Sequence, residues 1–184
     1  MRLFIAILFS EPVRDGLAAA VRNLRPRFQS GNFTSRENLH LTLAFLGETA
    51  PQRLDAVRDA MEAVTVSPFR LRIGGIGSFR REGGDIYWAG IERSDALLRL
   101  HEELDAALVR QGFPVERREF RPHLTLVRRA VLYGGVQAGL SVPFQEMDVE
   151  KISLMCSCPG EGGRIYTETA AKMLKSTGTE KESF

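Results

Sequence analysis

The tetrapeptide His-Leu-Thr-Leu occurs twice, at residues 40–43 and 123–126, in a chain with three histidines in all. Along a strand, residues i and i+2 point the same way. His40 and Thr42 therefore share one face, with Leu39, Leu41 and Leu43 on the other. His123 and Thr125 oppose Leu124 and Leu126 in the same manner. Such a segment suits a strand that buries a leucine row and shows polar groups on its reverse. Two such strands facing one cleft bring two imidazoles and two hydroxyls around a small space. The third histidine, His101, lies in Leu100-His101-Glu102-Glu103, which reads as the outward side of a helix without a catalytic role.

That inventory fits a reaction on a phosphate ester. Histidine's ordinary pKa of about 6.5 makes both protonation states accessible near neutrality. A neutral imidazole can take a proton from an attacking water, and an imidazolium can give one to the leaving oxygen. Threonine hydroxyls can bind the non-bridging oxygens, and an arginine can add charge-assisted bonds where negative charge grows. Nothing in this set calls for a metal or another cofactor.

At 184 residues the chain can form one sizeable core or two small lobes. Its net charge of +2 is too mild to argue for nucleic acid. The distribution says more, because Arg117, Arg118, Arg121, Arg128 and Arg129 bracket the second tetrapeptide. They read either as a solvated rim or as a basic edge for a polyanion. No apolar run is long enough to span a membrane. The opening Leu3-Phe4-Ile5-Ala6-Ile7-Leu8-Phe9 reads as a buried strand, because Glu11 and Arg14 follow at once and no small-residue cleavage site does. Cys156 and Cys158 are too close in sequence to staple the fold and supply no metal set, so they read as ordinary residues of a cytoplasmic protein.

Pro12 near a first turn and apolar residues at 13, 17, 20, 21 and 24 predict a helix after the first strand. Residues 31–38 read as a polar loop, and 39–46 as a strand ended by Gly47. Pro51 opens a second helix with Leu54, Val57, Met61 and Val64 on one face. Residues 69–76 and 86–91 read as a hairpin about Gly83-Gly84-Asp85. Ser94 is the predicted N-cap of a third helix, with Leu97, Leu100, Leu104 and Leu108 as its stripe and Gly112 past its end. Residues 124–127, 144–155 and 164–169 read as three further strands, the last two around a Gly-rich turn. Residues 1–174 are expected to form a single bilobal domain and 175–184 a polar tail.

On these motifs the chain resembles the RNA 2′,3′-cyclic phosphodiesterases, historically called 2′-5′ RNA ligases, of the 2H phosphoesterase superfamily. The segment Glu37-Asn38-Leu39-His40-Leu41-Thr42-Leu43-Ala44-Phe45-Leu46-Gly47-Glu48 is similar to the family's first motif. Phe120-Arg121-Pro122-His123-Leu124-Thr125-Leu126, followed by Arg128, is similar to the second, and Trp88-Ala89-Gly90 to its central hairpin strand. The resemblance spans most of the chain. It implies an α+β fold, bilobal, with two antiparallel sheets facing a central cleft and helices outside. It also implies hydrolysis of a 2′,3′-cyclic phosphate on an RNA end, or on a related cyclic nucleotide, to a 2′-phosphate. His40 would then be the proton donor and His123 the base, with Thr42, Thr125 and Arg128 holding the phosphate.

Strict alternation from His123 turns Arg129, not Arg128, towards the cleft, so both arginines stand as candidates. Phe45 would suit stacking on a base, but alternation sends it to the leucine face and predicts core packing. The segment 156–163 departs from a typical family ending and could wall the cleft. Two other functions remain compatible with the motifs: ATP-independent 2′-5′ RNA ligation and non-catalytic binding of RNA ends. Nothing demands more than a monomer.

Overall fold

The structure, a computed structural model, describes residues 1–115, 119–135, 139–161 and 163–175. Arg117, Arg118 and residues 176–184 of the expected tail lie outside them. The elements in chain order are β1 (Arg2–Leu8), α1 (Glu11–Leu24), β2 (Phe28–Phe33), β3 (His40–Glu48), α2 (Leu54–Glu62), β4 (Phe69–Phe79) and β5 (Asp85–Ile91). Then come α3 (Asp95–Arg110), β6 (His123–Leu132), β7 (Gln145–Val149), β8 (Lys151–Gly160) and β9 (Gly163–Met173). The strands form two antiparallel sheets, in the orders β3-β1-β8-β9 and β2-β6-β5-β4-β7. The two His-Leu-Thr-Leu segments thus open β3 of the first sheet and β6 of the second, and these two strands approach each other between the sheets.

Both leucine rows turn into one apolar core with the helical stripes. Leu97, Leu100, Leu104 and Leu108 of α3 are fully buried, each stabilising the fold by about 1.5–3 kcal/mol relative to exposure. The start of α3 is capped as its sequence predicts, with Ser94 Oγ accepting from the Leu97 amide at 3.2 Å. The end of α2 is held by a side chain from the far end of the chain. Lys172 of β9 is buried, and its Nζ donates to the carbonyls of Glu62 (2.8 Å) and Val64 (3.0 Å). A cation at a helix C-terminus also opposes the negative end of the helix dipole.

Three sequence expectations need correction. Residues 31–38 are not all loop, because β2 runs from Phe28 to Phe33 along the edge of the second sheet. Its Gln-Ser-Gly-Asn centre lacks the apolar alternation of a half-buried strand. The run 144–155 is two strands rather than one: β7 pairs with β4 in the second sheet, β8 with β1 in the first. Glu150 alone separates them and hands the chain across. The strand from residue 39 does not stop at Gly47 but continues to Glu48. No helix of the described residues is long and apolar enough to cross a membrane.

Candidate active site

Asn38 precedes β3 and fixes the first histidine. Its carbonyl lies 2.7 Å from His40 Nδ1, while its side-chain amide donates to the Arg164 carbonyl of β9 at 2.7 Å. A carbonyl can only accept, so Nδ1 carries the proton and Nε2 keeps its lone pair. His40 Nε2 is 3.0 Å from Thr42 Oγ1, which can donate to it. The ring is boxed by Phe4 (centroids 4.9 Å apart) and edge-on by Tyr166 (5.2 Å). Burial pushes its pKa down to about 4; the Asn38 carbonyl opposes this, and the positive charge of Arg128 adds to it. His40 is therefore neutral near pH 7, and Arg128 of the second sheet lies close enough for its charge to be felt there.

The second histidine repeats the anchor. His123 Nδ1 is 2.6 Å from the carbonyl of Arg121, two residues back, so Nδ1 again donates and Nε2 is the nitrogen left for chemistry. Phe79 meets the ring edge-on at 5.1 Å, with Trp88 6.1 Å away. Trp88 in turn lies against Gly77, where any side chain would strike the indole. Neither aromatic pair is legible in the sequence as part of a site, since Phe79, Trp88, Phe4 and Tyr166 come from four different strands.

A bulge at the same point of each motif sets the direction of the side chains beyond it. Ile5 pairs with Ala44 but Ala6 with Thr42, so Leu43 is an extra residue in β3. Tyr87 pairs with Val127 but Trp88 with Thr125, so Leu126 is the extra residue in β6. Each bulge shifts the alternation by one. Leu43 and Ala44 are both buried, as are Leu126 and Val127, and the next side chain in each strand emerges on the histidine face. In β6 that residue is Arg128, whose Nη2 donates to Thr125 Oγ1 at 3.3 Å. Arg129 instead stands at φ 51°, its backbone against Gly84 of the β4–β5 turn. In β3 the emergent residue is Phe45, which is 55% exposed rather than packed in the core, because the bulge undoes the alternation.

Thr34, just after β2, donates from Oγ1 to the Thr125 carbonyl (2.9 Å) and from its amide to the Leu126 carbonyl (2.8 Å), so it ties down the bulge. Only the register of a strand that the sequence does not announce reveals this role. His101 does not face outward but stacks on Phe120 at 3.9 Å, near the second motif yet outside the cluster. Arg121 pairs with Glu119 at 3.4 Å. Cys156 and Cys158 are free, with sulfurs 3.3 Å apart. Among the described residues no group of three or more metal-ligating side chains is placed to hold a metal ion.

Two imidazoles, each with one nitrogen pinned by a carbonyl, and an arginine that bonds one motif and bears on the other are groups that can exchange protons and hold an anion. The chain matches the family model of the 2′-5′ RNA ligase superfamily over residues 13–155. It belongs to that superfamily. An RNA 2′,3′-cyclic phosphodiesterase of Thermotoga maritima is 36% identical over 131 residues, covering 70% of each chain. One of Thermus thermophilus is 36% identical over 179 residues, covering 91% of this chain and 87% of its own. Among solved structures of similar fold, TT0787 of Thermus thermophilus superposes with a TM-score of 0.78 at 33% identity, covering 95% of this chain and 98% of its own. LigT of E. coli, crystallised with 3′-AMP, superposes with a TM-score of 0.75 at 26% identity, over 94% and 96% of the two chains. The two-sheet fold is thus shared with these solved structures.

Proposed function

We propose that this protein hydrolyses terminal 2′,3′-cyclic phosphates of RNA to 2′-phosphates, without a metal. The observation that carries the reading is the pairing of two identically anchored histidines, from two sheets, around one arginine. His123 Nε2 takes a proton from water as the water oxygen bonds phosphorus. The bond from phosphorus to O3′ breaks, and His40 Nε2 gives a proton to that oxygen. Thr42, Thr125 and Arg128 hold the non-bridging oxygens and stabilise the charge that builds on them. His40 is neutral before substrate arrives, so it must gain its proton with the substrate. A bound phosphate anion favours this, because it attracts the imidazolium and offsets the charge of Arg128. Phe45, exposed on the same face, offers an apolar ring to the nucleoside.

The relatives named RNA 2′,3′-cyclic phosphodiesterase support this substrate, and LigT crystallised with 3′-AMP supports a nucleotide ligand. We further propose that residues 1–174 act as one unit, as a monomer in the cytoplasm. The main core, which draws on both sheets, and the two free cysteines fit that reading. The deciding experiment supplies an oligoribonucleotide with a 2′,3′-cyclic phosphate end and locates the product phosphate by ³¹P NMR. A 2′-phosphate is expected. A 3′-phosphate would reverse the geometry, and tight binding without turnover would leave only an RNA-end-binding module. The family's name also keeps ligation in view: adding a 5′-hydroxyl RNA without ATP tests for a 2′-5′ joint.

A further inference from the structure

Several arginines of this protein pair with carboxylates. Arg36 is held by Glu11 and Asp15, Arg70 by Glu146 and Asp148, and Arg93 and Arg121 by Glu119. Arg80, Arg81, Arg128 and Arg129 are exposed, yet among the described residues no carboxylate pairs with any of them. They are also brought together. The β4–β5 turn folds onto β6 so closely that a Cβ on Gly84 would lie 2.6 Å from the backbone carbonyl carbon of Arg129. Arg129 is the one non-glycine among the described residues with a left-handed backbone. Such strain persists where the surroundings hold it, and it concentrates at functional sites.

The cluster is continuous with the candidate active site. The Arg81 guanidinium lies 6.0 Å from the Phe79 ring, and that ring meets His123 at 5.1 Å. Arg128 bonds Thr125. Four residues of strand rise carry the line from Thr125 to Arg129, about 13 Å. Beyond Arg129, Val131 and Tyr133 are exposed, Tyr133 to 63%. A path of unpaired guanidiniums ending at an exposed aromatic ring suits a single strand of nucleic acid, whose phosphates take the charge while a base stacks on the ring. Of the acids in this turn, Asp85 Oδ1 accepts from the Arg81 backbone amide at 3.2 Å, and among the described residues neither Asp85 nor Glu82 forms an ion pair with any of the four guanidiniums.

We infer that Arg80, Arg81 and Arg129 form a track for the phosphodiester backbone of the RNA leading up to its cyclic end, and so favour RNA ends over free cyclic nucleotides. This rests on the proposed hydrolase reading and adds where the rest of the substrate lies.

The test compares kcat/KM on 2′,3′-cyclic AMP and on an oligoribonucleotide of about ten nucleotides with a cyclic end, across a salt series. For Arg81→Ala and Arg129→Gln, singly and combined, hydrolysis of cyclic AMP should be unchanged. Activity on the oligonucleotide should fall severalfold, through KM, and the log–log salt slope should flatten by about 0.7 per arginine removed. Arg129→Lys should restore most of the loss. Equal effects on both substrates, or none on the oligonucleotide, would overturn the track. Should the wild type hydrolyse neither substrate, the hydrolase reading fails by itself. Anisotropy of a labelled 3′-phosphorylated oligonucleotide then decides the track: salt-sensitive binding weakened by the same variants supports it, and binding indifferent to them overturns it.

Discussion

His40 and His123 share a backbone anchor and differ in surroundings. Removing either imidazole should cost about 10²- to 10⁴-fold in kcat, read with His40→Ala and His123→Ala on a cyclic-phosphate RNA. A variant with full activity would end the acid–base reading. Arg128→Ala should cost about 10²- to 10³-fold, because the proposed mechanism uses it as a donor to developing charge. The burial of His40 also predicts a pH effect on folding. Its pKa is about 4 in the folded chain against about 6.5 unfolded, so the unfolded state binds the extra proton first as pH falls. The stability is present above pH 6.5 and is lost between about 6.5 and 4, at most about 3 kcal/mol. Urea titrations at pH 7 and pH 4.5 should show less of this loss in His40→Gln than in the wild type. At this scale the histidines and threonines were legible from repetition alone. The choice of Arg128 over Arg129, and the exposure of Phe45, were not, because one extra residue per strand reverses the alternation on which such a reading depends.

At the scale of elements, the patterns that read well were those carrying a strong period. The α3 leucine stripe and its Ser94 cap stand where the spacing places them. The weakly patterned β2 and the break at Glu150 did not read, since a polar edge strand has no period and a one-residue crossover leaves no gap. Two elements invite tests. Gly84 combines a φ of 112° with a close approach to the Arg129 backbone, which cannot yield as a flexible side chain would. Gly84→Ala should destabilise the protein by about 1–3 kcal/mol and lower activity by disturbing Arg128 beside it. Lys172→Met should leave two carbonyls at the end of α2 without their donor. A loss of about 1–3 kcal/mol in denaturant melts, with kcat retained, is the expected outcome.

At the scale of the whole molecule, the site exists only where the sheets meet. β3 is an edge strand of one sheet and β6 an inner strand of the other, so neither lobe holds both histidines. Treatment with EDTA should leave the rate unchanged, and a rate lost to chelation and restored by a divalent cation would contradict the metal-free proposal. The sequence by itself determined the chemistry available: two histidine–threonine pairs, each backed by a leucine row, since i, i+2 geometry comes from the backbone alone. Tertiary structure decided how that chemistry is shared out. Burial against Phe4 and Tyr166 keeps His40 neutral, matched bulges bring out Phe45 on one side and Arg128 on the other, and the β4–β5 turn sets unpaired arginines beside β6. Each of these depends on a residue distant in the chain, and no periodicity in a local segment records a contact made across the fold.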